Sequence, residues 1–314
     1  MNRLFSGLAG IGLLASLAVA ATAPPRTFNG FVIDDPLVPA QEILPGGPPR
    51  DGIPALTLPP TTTSGEADWL APRDRVLGFE HGGEARAYPV RLLNYHEIVN
   101  DRVGGEPVLI TFCPLCGTGM GFRPVVNGKP LEFGVSGLLY NSDLLMYDRA
   151  TESLWSQIEG RAINGPMKGT RLERLFITHT TWGQWREAHP GTRVLALDTG
   201  YWRDYTRSPY GSYEESENLY FPVSHLDRRF HPKDVVLGVE WQGKALAFPL
   251  RTLARTGRSR LTYTWHGQTF EVLHDVEART AEVRLPDGTR PDQMLVYWFA
   301  WAAFHPDTDV YAAP

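Results

Sequence analysis

Two stretches of this chain repeat each other, and that limits its fold more than any other feature of the sequence. Residues Val76 to Leu93 align without gaps to Val236 to Leu253, with 10 of 18 positions identical, among them Gly78/Gly238, Gly83/Gly243, Pro89/Pro249 and Arg91/Arg251. A second pair follows in the same order: Trp182, Trp185, His189, Pro190 and Thr192 recur at the same spacing as Trp298, Trp301, His305, Pro306 and Thr308. Two copies of one unit, 75–197 and 234–314, are therefore expected to form the core as docked halves.

Each unit opens with two short apolar runs separated by Gly82-Gly83 or Gln242-Gly243, the left-handed backbone chemistry of a tight hairpin. Asn127-Gly128, His266-Gly267 and Asp287-Gly288 mark further turns, and 144–157 reads as a hairpin around Asp148 to Glu152. Each unit closes with one helix, since Trp182, Trp185 and His189 fall on one helical face and Pro190 stops its continuation. The expected fold is α+β, mostly antiparallel β-sheet, built from two fused copies of a hairpin-sheet-helix unit.

The segments outside the copies carry their own signals. Residues 1–20 have Arg3, an apolar run from Leu4 to Val19, and small residues Ala18 and Ala20 at a cleavage point. This is the pattern of a signal peptide. It implies a secreted or periplasmic chain with no integral membrane span after cleavage. Residues 21–74 are dense in Pro, Gly and Thr and too poor in apolar side chains to fold alone. Phe28, Phe31, Ile33, Ile53, Leu56 and Trp69 anchor this arm on the core. Between the copies, 198–233 is aromatic and polar, with Tyr201, Trp202, Tyr205, Tyr210, Tyr213 and Tyr220, and is expected to pack across both halves. A formal net charge of −5, from 30 basic and 35 acidic side chains, supplies no positive field for a polyphosphate. Nucleic acid is excluded as a partner, which leaves an envelope protein or a small-molecule ligand.

Both cysteines sit in Cys113-Pro114-Leu115-Cys116-Gly117, directly after the strand-like run 108–112. Two thiols at this spacing, followed by glycine, form the knuckle that presents two thiolates to one metal. The first copy spends 26 residues, Asn94 to Gly119, where the second spends seven, Ala254 to Arg260. The knuckle therefore lies in an elaboration that the repeated unit does not require. His96 is the only histidine in that insertion and is the expected third ligand, with Glu97 or Asp148 in support. Met120, Met146 and His225 are weaker ligand candidates, the methionines as soft donors. The ion implied is a single transition metal: zinc, copper or iron.

Two other readings of the same residues stand beside the metal. An exported Cys-x-x-Cys pair exchanges disulfides when one sulfur is exposed and its pKa is depressed, yet Gly117-Thr118-Gly119-Met120-Gly121 is a poor start for the helix that would depress it. An oxidised Cys113–Cys116 pair can also serve only as a structural disulfide in a non-catalytic envelope binding or scaffold module. Elsewhere, Asn141-Ser142-Asp143, Asp148 and Glu152 form the densest polar patch. Glu97 and Asp148 are the candidate general acids or bases, although turn chemistry accounts for most of that patch equally well. His189 and His305, kept in both copies, read as structural. His96-Glu97 lacks the second histidine of a zinc-protease helix, because Asn100 stands in its place. No reaction is legible in these residues.

Tyr95-His96-Glu97-Ile98-Val99-Asn100, Phe112 to Gly117, Phe133 to Gly137 and the run Tyr147 to Gln157 resemble the bacterial and archaeal family called domain of unknown function 3179. The resemblance extends to Gly47 to Leu56 and to the Trp-x-x-Trp-x-x-x-His-Pro helix. It implies a single exported module and carries no activity with it.

Overall fold

The computed structural model describes residues 25–313; the signal peptide expected over 1–20 lies outside the described residues. Strand takes 43% and helix 11% of the structure, in a five-bladed β-propeller arrangement. The expectation of an α+β fold from two fused copies is corrected by this architecture. The four α-helices among the described residues, α1 (Val90–His96), α2 (Trp182–Ala188), α3 (Leu250–Arg255) and α4 (Trp298–Phe304), are only six or seven residues long. Two turns of helix cannot cover a sheet as a layer. They serve as connectors.

The recurring residues build two of the five main sheets, and the order of their strands is the same. In one, Arg75–His81 pairs antiparallel with Glu84–Pro89 and with Thr178–Thr181, while Arg193–Leu195 runs parallel to Glu84–Pro89. In the other, Val235–Trp241 pairs antiparallel with Lys244–Pro249 and with Asp292–Tyr297, and Asp309–Val310 runs parallel to Lys244–Pro249. The Trp-x-x-Trp-x-x-x-His-Pro-x-Thr motif is a clasp on each. Trp185 lies over Gly78 and Trp301 over Gly238, so close that a Cβ at either glycine would sit 2.3 Å from the indole ring. The Trp185 and Trp301 Nε1–H groups donate to Thr192 and Thr308 Oγ1, each at 2.9 Å. His189 and His305 stack on those rings with centroids 3.9 Å apart.

The other three main sheets come from residues that carry no trace of the repeat. One is a meander of Ile98–Val103, Glu106–Cys113 and Thr118–Arg123. A second runs Phe133–Tyr140, Asp143–Asp148, Leu154–Ser156 and Arg161–Asn164. The third is Arg260–Trp265, Gln268–Asp275 and Thr280–Arg284. Residues of the arm add edge strands to three sheets: Ile43–Pro45 beside Phe133–Tyr140, Leu56–Thr57 beside Ile98–Val103, and Thr61–Thr63 beside Arg193–Leu195. Its low apolar content is offset by main-chain pairing, which requires no particular side chain. The 198–233 segment is mostly irregular and buries Tyr205 and Tyr213. The largest cluster of buried apolar side chains spans several sheets and contains both cysteines, Met120, Met146, Trp155, Trp298 and Trp301.

Candidate metal centre

The knuckle is the turn of a β-hairpin. Glu106–Cys113 and Thr118–Arg123 are paired with Cys113 opposite Thr118, which leaves Pro114 to Gly117 to reverse the chain. Gly117 has φ +63°, and a Cβ there would come within 2.5 Å of the Tyr297 ring, so glycine is required on both counts. The Cys116 N–H donates to Cys113 Sγ at 3.4 Å, and the Tyr297 N–H donates to Cys116 O at 2.8 Å, which ties the turn to a neighbouring sheet. Both cysteines are free thiols, buried, and approach each other to 3.2 Å.

A second hairpin faces the first. Asn141 and Ser142 join Phe133–Tyr140 to Asp143–Asp148 with φ of 52° and 62°, the left-handed pair of a tight turn in which the second position usually falls to glycine. Ser142 is retained there with its hydroxyl bonded to Phe221 O at 2.9 Å, and its own carbonyl accepts from Cys116 Sγ at 3.4 Å. Asn141 Oδ1 accepts from the Ser224 N–H at 2.7 Å. The strained turn is thus held by the 198–233 segment and delivers the next residue, Asp143, to the sulfurs.

Asp143 is the third member of the site, and the sequence reading placed His96 in that role. The ligand atoms of Cys113, Cys116 and Asp143 all lie within 4.8 Å of one another, and all three residues are buried. Asp143 Oδ2 accepts from the Ile158 N–H at 3.0 Å, while Oδ1 is buried with no hydrogen-bond partner. Burial pushes the Asp143 carboxyl up to about 8. Burial also raises both thiols, Cys116 well above the ordinary range, with the Asp143 charge acting in the same direction. No cation is among the strongest influences on any of the three. A redox thiol needs the opposite conditions, an exposed sulfur with a depressed pKa.

His96 is committed elsewhere. Its Nδ1 lies 2.8 Å from Pro54 O, which can only accept, so Nδ1 carries the proton and Nε2 accepts from Tyr205 Oη at 2.6 Å. Burial lowers its pKa and keeps the ring neutral. With both nitrogens engaged, His96 is not part of the Cys113–Cys116–Asp143 group. Glu97, its neighbour, ends α1 with φ 56° and occupies different surroundings. Tyr210 Oη donates to Glu97 Oε1 at 3.2 Å, burial raises the carboxyl to about 7, and its charge is felt at Cys113.

The remaining candidates fall outside the group. Asp148 is occupied by its own turn: it accepts from Thr151 N–H at 2.6 Å, Thr151 Oγ1 at 2.7 Å and Trp155 Nε1 at 3.0 Å. Met120 and Met146 face Thr111 and Trp155 across their sheets and belong to the apolar packing around the cysteines. His225 is half-buried in the 198–233 segment. A cavity of about 510 Å³ adjoins the centre, with Leu115 of the knuckle, Leu144, Glu97 and Tyr210 in its wall. Among the described residues, no helix is long and apolar enough to cross a membrane.

Cys113, Cys116 and Asp143 fit a metal. Two thiolates and a carboxylate are donors that zinc and iron both accept, and the partnerless Asp143 Oδ1 is a free ligand atom. No curated protein and no solved structure matches the chain. A family model described as a protein of unknown function (DUF3179) matches residues 50–308, from the arm to the last Thr of the second clasp. With most of its length covered by that match, the chain belongs to the DUF3179 family.

Proposed function

We propose that this is an exported metal-binding protein whose ion is held by Cys113, Cys116 and Asp143. The observation that carries the reading is the convergence of three buried acidic groups, within 4.8 Å, with no cation among the strongest influences on them. Burying one carboxyl and two thiols together is costly when they ionise without a counter-charge. A divalent ion lowers that cost, because it replaces three protons with a double positive charge at the centre of the group. Zinc suits the mixed sulfur and oxygen set best, since it imposes no ligand-field geometry on a shell that the two hairpins already shape. When bound, the ion supplies a buried positive charge and a Lewis acid. This chain's own residues hold it, exclude water, and place Leu115 and Glu97 at the adjoining cavity. His96 and Tyr205 keep the end of α1 in place through their hydrogen bond.

The test is elemental analysis of protein purified from the compartment that exports it. One equivalent of zinc is expected in the wild type and in His96→Gln, and far less in Cys113→Ser, Cys116→Ser and Asp143→Asn. An ion-free wild type with a Cys113–Cys116 disulfide would overturn the proposal and favour the structural staple. Ion content undiminished by the cysteine replacements would overturn it too.

A further inference from the structure

The cavity beside the centre, about 510 Å³, has the size and the mainly apolar wall of a pocket for a small organic ligand. Among the described residues, Glu97 is the only acid in that wall and Arg203 the only base. They are not equivalent. Arg203 is exposed and donates to its neighbour Trp202 O at 2.9 Å, so water and salt screen its charge. Glu97 is 6% exposed, accepts one hydrogen bond from Tyr210, and has no cation acting on it. When Glu97 is ionised, the unscreened charge inside the cavity is therefore negative. Around it stand the rings of Tyr95, Tyr210, Tyr220 and Phe221. Aromatic faces carry partial negative charge and attract cations, most strongly where water is excluded. A carboxylate in a cavity lined by such rings is complementary to a positively charged nitrogen on an apolar body. A neutral molecule would leave the carboxylate uncompensated, and an anion would be repelled by it.

We propose that this cavity binds an organic ammonium, with its nitrogen against Glu97 and the tyrosine rings and its apolar part against Ile53, Leu115 and Leu144. The proposal goes beyond the metal centre and does not depend on it. Isothermal titration calorimetry with three probes of similar shape tests it: 2-phenylethylammonium, 2-phenylethanol and phenylacetate, each against the full chain near neutral pH. The ammonium is expected to bind at least about 10-fold tighter than the alcohol, and the anion weakest of the three. Glu97→Gln is expected to erase the preference for charge while the alcohol still binds, and Tyr210→Phe to weaken the ammonium alone. Equal affinity for ammonium and alcohol, a preference for phenylacetate, or no heat from the ammonium at about 10 mM would overturn it. The wild-type ranking decides even if Glu97→Gln fails to fold. Ion content measured on the same samples reports on the centre separately, so either reading can fail while the other stands.

Discussion

Asp143→Asn gives opposite stability changes with and without metal. In the ion-free protein the folded carboxyl titrates at about 8, against an ordinary value of 3.8. The folded state therefore binds its proton more tightly than the unfolded chain does. Stability is highest below the ordinary value and falls as pH rises toward 8, because the unfolded state ionises first. Each pH unit in that window is worth about 1.36 kcal/mol, so three units from about pH 5 to about pH 8 remove up to about 4 kcal/mol from the wild type. Asparagine keeps an acceptor for the Ile158 N–H and has no proton to lose. The variant should therefore overtake the wild type as pH rises, by an amount that approaches that ceiling. Glu97 titrates in both proteins and cancels in the comparison. Added zinc should reverse the order at pH 8, since only the wild type retains the full ligand set and gains by mass action. Urea unfolding of chelator-treated protein at the two pH values, then with zinc in excess, measures all of this. Parallel pH profiles for the two ion-free proteins would refute the claim that a desolvated carboxyl sits against the thiols.

Three other substitutions probe the scaffold. His96→Gln should leave the ion in place and lower stability by about 1–2 kcal/mol, because it loosens the bonds to Pro54 and Tyr205; chemical denaturation alongside elemental analysis separates the two effects. Asp148→Ala should cost about 2–4 kcal/mol, since three donors lose a charged acceptor in a buried turn, and thermal unfolding reads this directly. Gly238→Ala should cost at least about 1–3 kcal/mol, because the new methyl would enter the Trp301 ring; an unchanged melting temperature would mean that the indole is free to shift.

The two hairpins and the two clasps differ in how legible they are. The knuckle was readable because its chemistry is local: strand, Cys, Pro, Cys and Gly are contiguous. The helices α2 and α4 are legible for the same reason, with Pro190 and Pro306 as their stops, whereas α1 and α3 are not. The number of sheets was not. Only the two sheets with a Trp over a glycine share recognisable residues, whereas the other three are specified by alternation and turn type, which many sequences satisfy. Counting similar segments therefore found two units where the architecture has five. In the sequence Asp143 is only part of a polar patch, because sheet packing, not chain proximity, brings it to the sulfurs. His96 lies in the same insertion as the cysteines, but Pro54 from the arm and Tyr205 from the 198–233 segment claim both its nitrogens. The left-handed Asn141-Ser142 pair, visible only in the structure, is strain that the bonds to Phe221 and Ser224 hold in place.

The edge strands of the arm set an order of events for the growing chain. Ile43 pairs with Tyr140, Leu56 with Val99, and Thr61 with Leu195. A chain emerging from a ribosome therefore pairs Arg26–Phe28 with Phe31–Ile33 at once but carries these three later arm strands unpartnered until a long stretch downstream has appeared. Those strands are short and rich in Thr and Pro, which makes them poor templates for intermolecular pairing during the wait. Closure of the three sheets is then a late step, and the amino-terminal stretch acts as a latch on a body that has already assembled.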